Sequence, residues 1–516
     1  MSQTSERTRA AEATDPEYPI QGARLRIVTI AAATGMLLAA LDANITATAM
    51  PTVIAALGGL SLYTWVFAGY ALASTTAMPL FGRLSDIYGR KRLYLGGMIL
   101  FVLASAACGA SSTMPMLILG RAIQGIGGAA IMALTFTIIA DLYPPEKRGQ
   151  VQGVTSSAWA ISAIVGPVVG AFLVTTLGWR WVFFVNLPVS LIPIVLLGMF
   201  LQDRPRAIGR RSVDVLGALT LSASVICLML AALIAGNEHR LVSSTTLGLM
   251  AGFVVLMAAF IAIENRVAVP TVPLTLFRGR VFLMGAIASM VFGWVGFSVG
   301  NFVPLFAQGV LGGSALNAGA VLLPNTLGWS AAAAISGPLV RPLGYRRMSL
   351  IAFGFLLASG IILMTLTDQS GYPAIVIAMA LAGISCGILS PTLMLAIQNA
   401  VDPNQLGVAT SLAMFLRTIG YSVGVSIMGA VLAEGLAVRL GSSVGDPDSL
   451  LVAGAASRLD PAVVGQFRLA LSLSLHDVFL VSLIVTFVGI ATAFGMTGWQ
   501  DRVARRIDAE IPAGIG

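Results

Sequence analysis

The feature that most constrains this chain is the recurrence of apolar runs of roughly twenty residues, separated by short loops carrying arginine, glycine or proline. A helix of about that length spans the hydrocarbon core of a bilayer. In lipid, only helices and closed barrels satisfy all their backbone polar groups. Apolar segments fall near 27–50, 61–81, 93–111, 115–140, 151–176, 182–201, 215–235, 244–263, 281–307, 315–340, 349–367, 372–400, 405–433 and 477–498. The residues are 57% hydrophobic and only 10% charged, against about 25% charged in a soluble domain. The expectation is an all-α polytopic membrane protein of fourteen spans. A secreted disulfide protein, a cytosolic enzyme and a nucleic-acid binder are excluded.

The formal charge of +8 is topological, because cytoplasmic loops retain Arg and Lys. Of the 30 basic residues, 23 fall on the side that holds both termini and 5 (Arg180, Arg240, Arg439, Arg458, Arg468) on the other. Both termini are therefore expected in the cytoplasm. Residues 1–24 hold no apolar run or small-residue cleavage site, so no cleaved leader is expected. Cys108, Cys227 and Cys386 each lie within a span and read as small core residues rather than a disulfide framework.

An internal repeat divides the chain. Gly82-Arg-Leu84-Ser-Asp86-Ile-Tyr-Gly89-Arg90-Lys91-Arg92 follows the second span, and Gly337-Pro-Leu339-Val-Arg341-Pro-Leu-Gly344-Tyr-Arg346-Arg347 follows the tenth, 255 positions later. Gly166-Pro167-Val-Val-Gly170 matches Gly420-Tyr421-Ser-Val-Gly424 at an offset of 254. The expected organisation is a tail at 1–26, a six-helix bundle at 27–201, two inserted spans with flanking loops at 202–280, and a second six-helix bundle at 281–498. That second bundle includes a polar outer loop at 434–476, with room for a short amphipathic helix, and a tail follows at 499–516. Repeated halves around a midplane site are the architecture of secondary transporters. No GxxxxGK[ST] loop occurs, so ATP drive within this chain is not expected.

Asp42 is the acidic residue placed well inside a span. A charged carboxylate at a helix centre costs about 2.5–3.5 kcal/mol on insertion scales, so it must face a cavity or a partner. It reads either as a protonation switch that also attracts a cationic substrate, or as a structural carboxylate paired with an arginine. Arg121 lies in the fourth span, within Gly120-Arg121-Ala-Ile-Gln124-Gly125. A guanidinium stays charged and needs an anion, and Asp42 is its nearest plausible counter-ion. Asp86 stands in the basic 82–92 stretch, where it can pair with Arg90 or Arg92 or cap a helix N-terminus. Arg417 lies in the thirteenth span with no acidic partner nearby in sequence, since Glu434 and Asp477 sit at outer span ends. Trp179-Arg180-Trp181, Phe183, Phe184 and Asn186 mark an outer interface.

The ordered set Leu41-Asp42…Met50-Pro51, Gly82-x-Leu-Ser-Asp86-x-x-Gly89-Arg90-Lys91, Arg121-x-x-Gln124-Gly125, Gly166-Pro167-x-x-Gly170 and Trp179-Arg180-Trp181-x-Phe-x-x-Asn186-x-Pro188 resembles the major facilitator superfamily. The likeness is strongest to its fourteen-span drug:proton antiporter branch. The stretch from Gly383 to Gly424, with Pro391, Gln398, Asn399, Gly407 and Arg417, is similar to that branch as well. The resemblance covers roughly 27–498. It implies a major-facilitator fold of two six-helix bundles plus two inserted helices, and alternating access. Proton coupling would rest on Asp42 and Arg121. A cytoplasmic gate would be built from Gly82, Asp86, Gly89, Arg90, Lys91 and Arg92. Gly166, Pro167 and Gly170 would form an antiporter helix kink, and Asn44, Gln124, Asn325 and Arg417 are candidate cavity residues. Ala171 stands where a second glycine is often seen, and Asn44 where threonine is common.

The function expected is a proton-coupled exporter of lipophilic small molecules, cationic ones among them, in a bacterial inner membrane. An exporter of lipids or secreted metabolites on the same scaffold is the alternative. The proton gradient serves as energy source with no cofactor or metal. The partners are substrate, protons and membrane lipids, without nucleic acid, and the chain is expected as a monomer. A membrane enzyme would need a nucleophile with its base or clustered metal ligands. The chain has only His239 and His476, and no HExxH or CxxC. A non-transporting sensor would be marked by an extra soluble domain, which neither terminal stretch supplies.

Overall fold

A computed structural model of the chain describes residues 20–58, 62–202, 214–237, 243–267, 270–313, 317, 320–440 and 461–496. Both expected tails beyond 20–496, the arginine-rich 203–213 and the 441–460 part of the expected outer loop lie outside them. The helices are α1 (Gly22–Leu57), α2 (Tyr63–Tyr88), α3 (Arg90–Gly109), α4 (Met114–Leu142), α5 (Pro145–Thr176), α6 (Asn186–Phe200), α7 (Val215–Asn237), α8 (Ser244–Glu264), α9 (Arg280–Leu305), α10 (Leu323–Met364), α11 (Tyr372–Gln398), α12 (Leu406–Leu440) and α13 (Pro461–Gly495). Among the described residues no strand occurs, as expected where each backbone group must find its partner inside its own segment.

Each of the fourteen expected segments contains helix. Eleven helices among the described residues are long and apolar enough to cross a membrane. α10 carries two of the expected segments, joined at Gly344, whose φ of 75° breaks the helix. α2 is not among the eleven, and α5 contributes only the shorter apolar stretch Ile161–Thr176.

Two expectations on boundaries change. The stretch 82–92 is helix on both sides, interrupted only at Gly89 (φ 94°). Gly89 and Gly344, 255 positions apart, carry the same left-handed break, so the repeat is visible in the backbone. The outer loop expected at 434–476 is also shorter: α12 runs to Leu440 and α13 begins at Pro461. Arg468 and His476, within that expected loop, sit on α13, and Arg439 meets Asp477 at 2.8 Å.

The chain forms two compact units, residues 1–213 with 402–411, and 214–401 with 412–516. In the first, α4 lies centrally against α2 and α3, and α1 packs on α4, α5 and α6. Its core includes Tyr94, Met98, Phe101, Ile131 and Leu134. In the second, α10 packs on α11 and α13, α9 packs on α11 and α13, and α7 pairs with α8. Phe292, Phe302, Phe306, Phe353 and Phe479 are buried at its centre. Outward faces stay apolar, with Val168, Phe172, Val255 and Leu103 exposed. That is the pattern of a surface that meets lipid rather than water.

Candidate functional site

Glycine composition puts α4 in the middle of the first unit. A side chain at Gly127 would crowd the Phe101 backbone nitrogen at 2.6 Å, and one at Gly120 would meet the Cys108 sulfur at 2.7 Å. At Gly125 it would overlap the Tyr70 carbonyl. Small residues let helix backbones approach this closely, and the approach carries Arg121 and Gln124 inward from α4 to Asp42 of α1.

Asp42 is fully enclosed, and Arg121 is 1% exposed. Arg121 Nη1 lies 2.5 Å from Asp42 Oδ2 and donates to Gln124 Oε1 at 2.7 Å. Gln124 Nε2 donates to Asp42 Oδ1 at 2.9 Å, and Asn186 Nδ2 donates to the same oxygen at 2.6 Å. Asn186 also donates to Ser105 Oγ at 2.9 Å, and that hydroxyl donates to the Phe183 carbonyl at 2.8 Å. The guanidinium carbon sits 4.4 Å above the Tyr70 ring. The carboxylate thus has one cation and two amide donors, all beyond the reach of water.

Gln124 is buried in the ion-pair network. Asn44 donates to the Ala40 carbonyl at 2.9 Å and to Ser162 Oγ at 3.1 Å, fastening α1 to α5. Asn186, grouped with an outer aromatic belt, is instead buried against Asp42, as its short apolar helix α6 packs on α1 and α3. The belt itself holds in part: Trp181 is exposed, while Trp179 is buried with Arg180 stacked 4.4 Å over its ring.

At the opposite end of α2, Asp86 pairs with Arg90 at 2.5 Å. Its two carboxylate oxygens also accept the Gly407 and Val408 amides at 3.1 and 3.0 Å. These are first-turn amides of α12, so one carboxylate both neutralises a cation and caps a helix. Arg90 is buried, with Nε on Asp141 at 3.1 Å and Nη1 donating to Ser85 Oγ at 2.7 Å. Gly82 fits because a side chain there would strike Ser411 and the Gly407 carbonyl. Asp141 escaped the sequence reading because it ends a span beside a charged loop. Lys91 is half-buried and Arg92 is exposed, so the cluster centres on Asp86 and Arg90 rather than on the whole basic run.

Gly166 and Gly170 seat α5 on α1. A side chain at Gly166 would lie 2.7 Å from the Asn44 Cβ, and one at Gly170 would overlap the Thr48 hydroxyl. Pro167 is within the helix and points away from this seam, exposed.

In the second unit, Arg417 is half-buried, donates to Ser390 Oγ at 3.3 Å and lies 5.3 Å from the Phe292 ring centre. Asn325, near the start of α10, is half-exposed. An acid pair absent from the sequence reading joins the inserted helices. Asp214 and Glu264 are both buried, and a side chain at Gly217 would meet a carboxylate oxygen of each. Glu264 Oε1 accepts the Val272 amide and Asp214 Oδ1 accepts the Gly217 amide at 2.9 Å. Among the described residues no group of three or more His, Cys, Asp or Glu is placed to hold a metal ion.

The model of the Major Facilitator Superfamily matches residues 32–425. The chain belongs to that superfamily. It is 32% identical over 489 residues to multidrug resistance protein 3 of Bacillus subtilis (strain 168), covering 92% of this chain and 95% of the relative. To the multidrug transporter protein MdtP of the same organism it is 35% identical over 403 residues, covering 77% and 73%. Among solved structures, the human organic anion transporter MFSD10 superposes with a TM-score of 0.62 at 16% identity, covering 90% of this chain and all of that one. The last likeness concerns fold alone. This superfamily member is therefore a multi-pass membrane transporter, helical among the described residues, and not an enzyme.

Proposed function

We propose that this facilitator is a proton-coupled exporter of lipophilic small molecules, drugs or other toxic compounds, working by alternating access in a bacterial plasma membrane with both termini in the cytoplasm. The observation that carries the reading is the enclosed Asp42–Arg121 pair at 2.5 Å, held by Gln124 and Asn186 inside an apolar bundle. While Arg121 stays in place, the carboxylate is neutralised without a proton. Movement of α4 relative to α1 that separates them would leave an enclosed carboxylate with amide donors only, and it would then take up a proton. Return of Arg121 would expel that proton, so one displacement converts helix motion into proton exchange. Arg121 keeps its charge throughout.

The relatives' names, multidrug resistance protein and multidrug transporter, support the export of chemically varied compounds. Asp86 supplies a second element of the cycle: holding the first turn of α12 through two amides, it would latch one end state and release it in the other. The Gly166–Gly170 seam places α5 against α1 one to two turns beyond Asp42, where motion of α5 would reach the proton site.

The test is transport by the purified full-length chain in liposomes loaded with a pH-sensitive dye, scanned with lipophilic cations, neutral drugs, lipophilic acids and lipids. Substrate-dependent proton movement is expected. Substrate flux without any proton movement would refute the coupling, and proton-free movement of lipids would favour a lipid exporter.

A further inference from the structure

Arg417, half-buried within a span, contrasts with the enclosed Arg121 and Arg90. Arg121 and Arg90 each meet a carboxylate, whereas Arg417 meets none among the described residues. Its guanidinium donates to Ser390 Oγ at 3.3 Å and lies 2.9 Å from the Met414 sulfur. The Phe292 and Phe297 rings are 5.3 and 5.9 Å from its carbon. A guanidinium carries five N–H donors, and a hydroxyl and a thioether are weak, neutral acceptors for two of them.

The seat is built. Any side chain at Gly293 would collide with the Arg417 carbonyl, and any at Gly420 with the Met290 carbonyl. Two glycines thus lock α9 onto α12 on either side of the charge. An independent observation points the same way. Trp329, stacked edge-on against Phe297 at 5.1 Å and Phe292 at 6.2 Å, has a buried indole N–H without an acceptor. Tyr421, 6.1 Å from Phe297 and exposed, continues the aromatic face. An unpaired cation and an unpaired donor beside aromatic rings, in an apolar span, lack one thing: an anionic acceptor.

We propose that the α9–α10–α12 face around Arg417 binds the oxyanion of an amphiphilic acid, a carboxylate on an aromatic or aliphatic body, as part of the transported substrate. This rests on the export reading above and specifies its substrate class. Arg417 would take the carboxylate in a charge-assisted bond, with the Trp329 N–H as second donor and the rings covering the apolar body. The enclosed Asp42, neutralised by Arg121, offers a cationic substrate no free charge in this conformation. The expected cationic class is therefore less well served than an acidic one.

The test is equilibrium binding of pyrene-1-butyrate and its uncharged methyl ester to the full-length chain in phosphatidylcholine nanodiscs, followed by energy transfer from tryptophan to pyrene and corrected for empty discs. The acid is expected to bind more tightly than the ester. Arg417→Gln should weaken the acid by roughly ten- to a hundred-fold, the scale of a hydrogen bond to a charged group, and leave the ester unchanged. Arg417→Lys should retain part of the preference, and Trp329→Phe should lose a smaller part. Equal binding of acid and ester, or undiminished acid binding in Arg417→Gln, overturns the proposal. If Arg417→Gln does not fold, Arg417→Lys and Trp329→Phe decide it: acid binding unchanged in both overturns it. Loss of acid binding when phosphatidylglycerol replaces phosphatidylcholine assigns the oxyanion site to lipid headgroups and overturns a transported acid. No proton gradient is present, so failure here is distinct from failure of proton coupling.

Discussion

Replacing Arg121 by glutamine should destabilise this protein far more than replacing both members of its ion pair. The substitution keeps bulk and hydrogen-bonding capacity but removes the one cation that, among the described residues, lies within bonding distance of Asp42, which stays enclosed with Gln124 and Asn186 at 2.9 and 2.6 Å. Breaking a buried ion pair on one side costs about 3–5 kcal/mol, because the remaining charge is left buried without a counter-ion. Asp42→Asn combined with Arg121→Gln should recover most of that loss, since two neutral amides leave no buried charge. Unfolding of the purified variants in mixed dodecyl sulfate micelles, followed by far-ultraviolet circular dichroism, measures both. A single variant as stable as the parent, or a double variant no more stable than the single one, would show that Asp42 does not depend on Arg121 as its counter-ion.

Other substitutions test the surrounding contacts. Asp86→Asn removes the charge that faces Arg90 at 2.5 Å and caps α12; amide exchange at Gly407 and Val408 should quicken by about ten-fold or more, matching ~1.5–3 kcal/mol for a charge-assisted bond, and unchanged exchange would deny the cap. Gly166→Val drives a branched side chain onto Asn44 and should lower the unfolding free energy by about 1–3 kcal/mol, whereas exposed Pro167→Ala should leave stability in place while weakening transport or letting protons leak. Glu264→Gln keeps a side-chain oxygen to accept the Val272 amide, so stability should hold; Glu264→Ala, which strips that acceptor, should cost about 1–3 kcal/mol. If both Glu264 variants behaved alike, the acid pair would have no structural weight.

What could be read from the sequence follows a physical rule. Asp42 and Arg121 stood out because each is alone in an apolar span, where any charge demands an explanation. Asn186 did not, because an uncharged amide beside tryptophans has an ordinary home at a membrane interface; only the packing of α6 on α1 brings it to Asp42. Asp141 and Glu264 were hidden for the opposite reason, since acids at span ends look like solvated loop residues until tertiary contacts bury them. Asn44 and Gln124 are cavity candidates by resemblance, and only the packing shows that they also tie α1 to α5 and α4 to α1. Helix ends shifted where charged residues such as Arg468 and Asp477 ride on a helix, because hydropathy measures solvation and not backbone conformation.

The central claim is that proton exchange passes through Asp42, and the most direct measurement is proton movement in dye-loaded liposomes containing Asp42→Asn beside the parent. With an identified substrate, the parent should move protons against substrate in fixed ratio, and Asp42→Asn should bind substrate and exchange it down its own gradient without moving protons. Substrate-driven proton movement of parental size in Asp42→Asn would contradict the account and reduce the buried pair to a structural tie between α1 and α4.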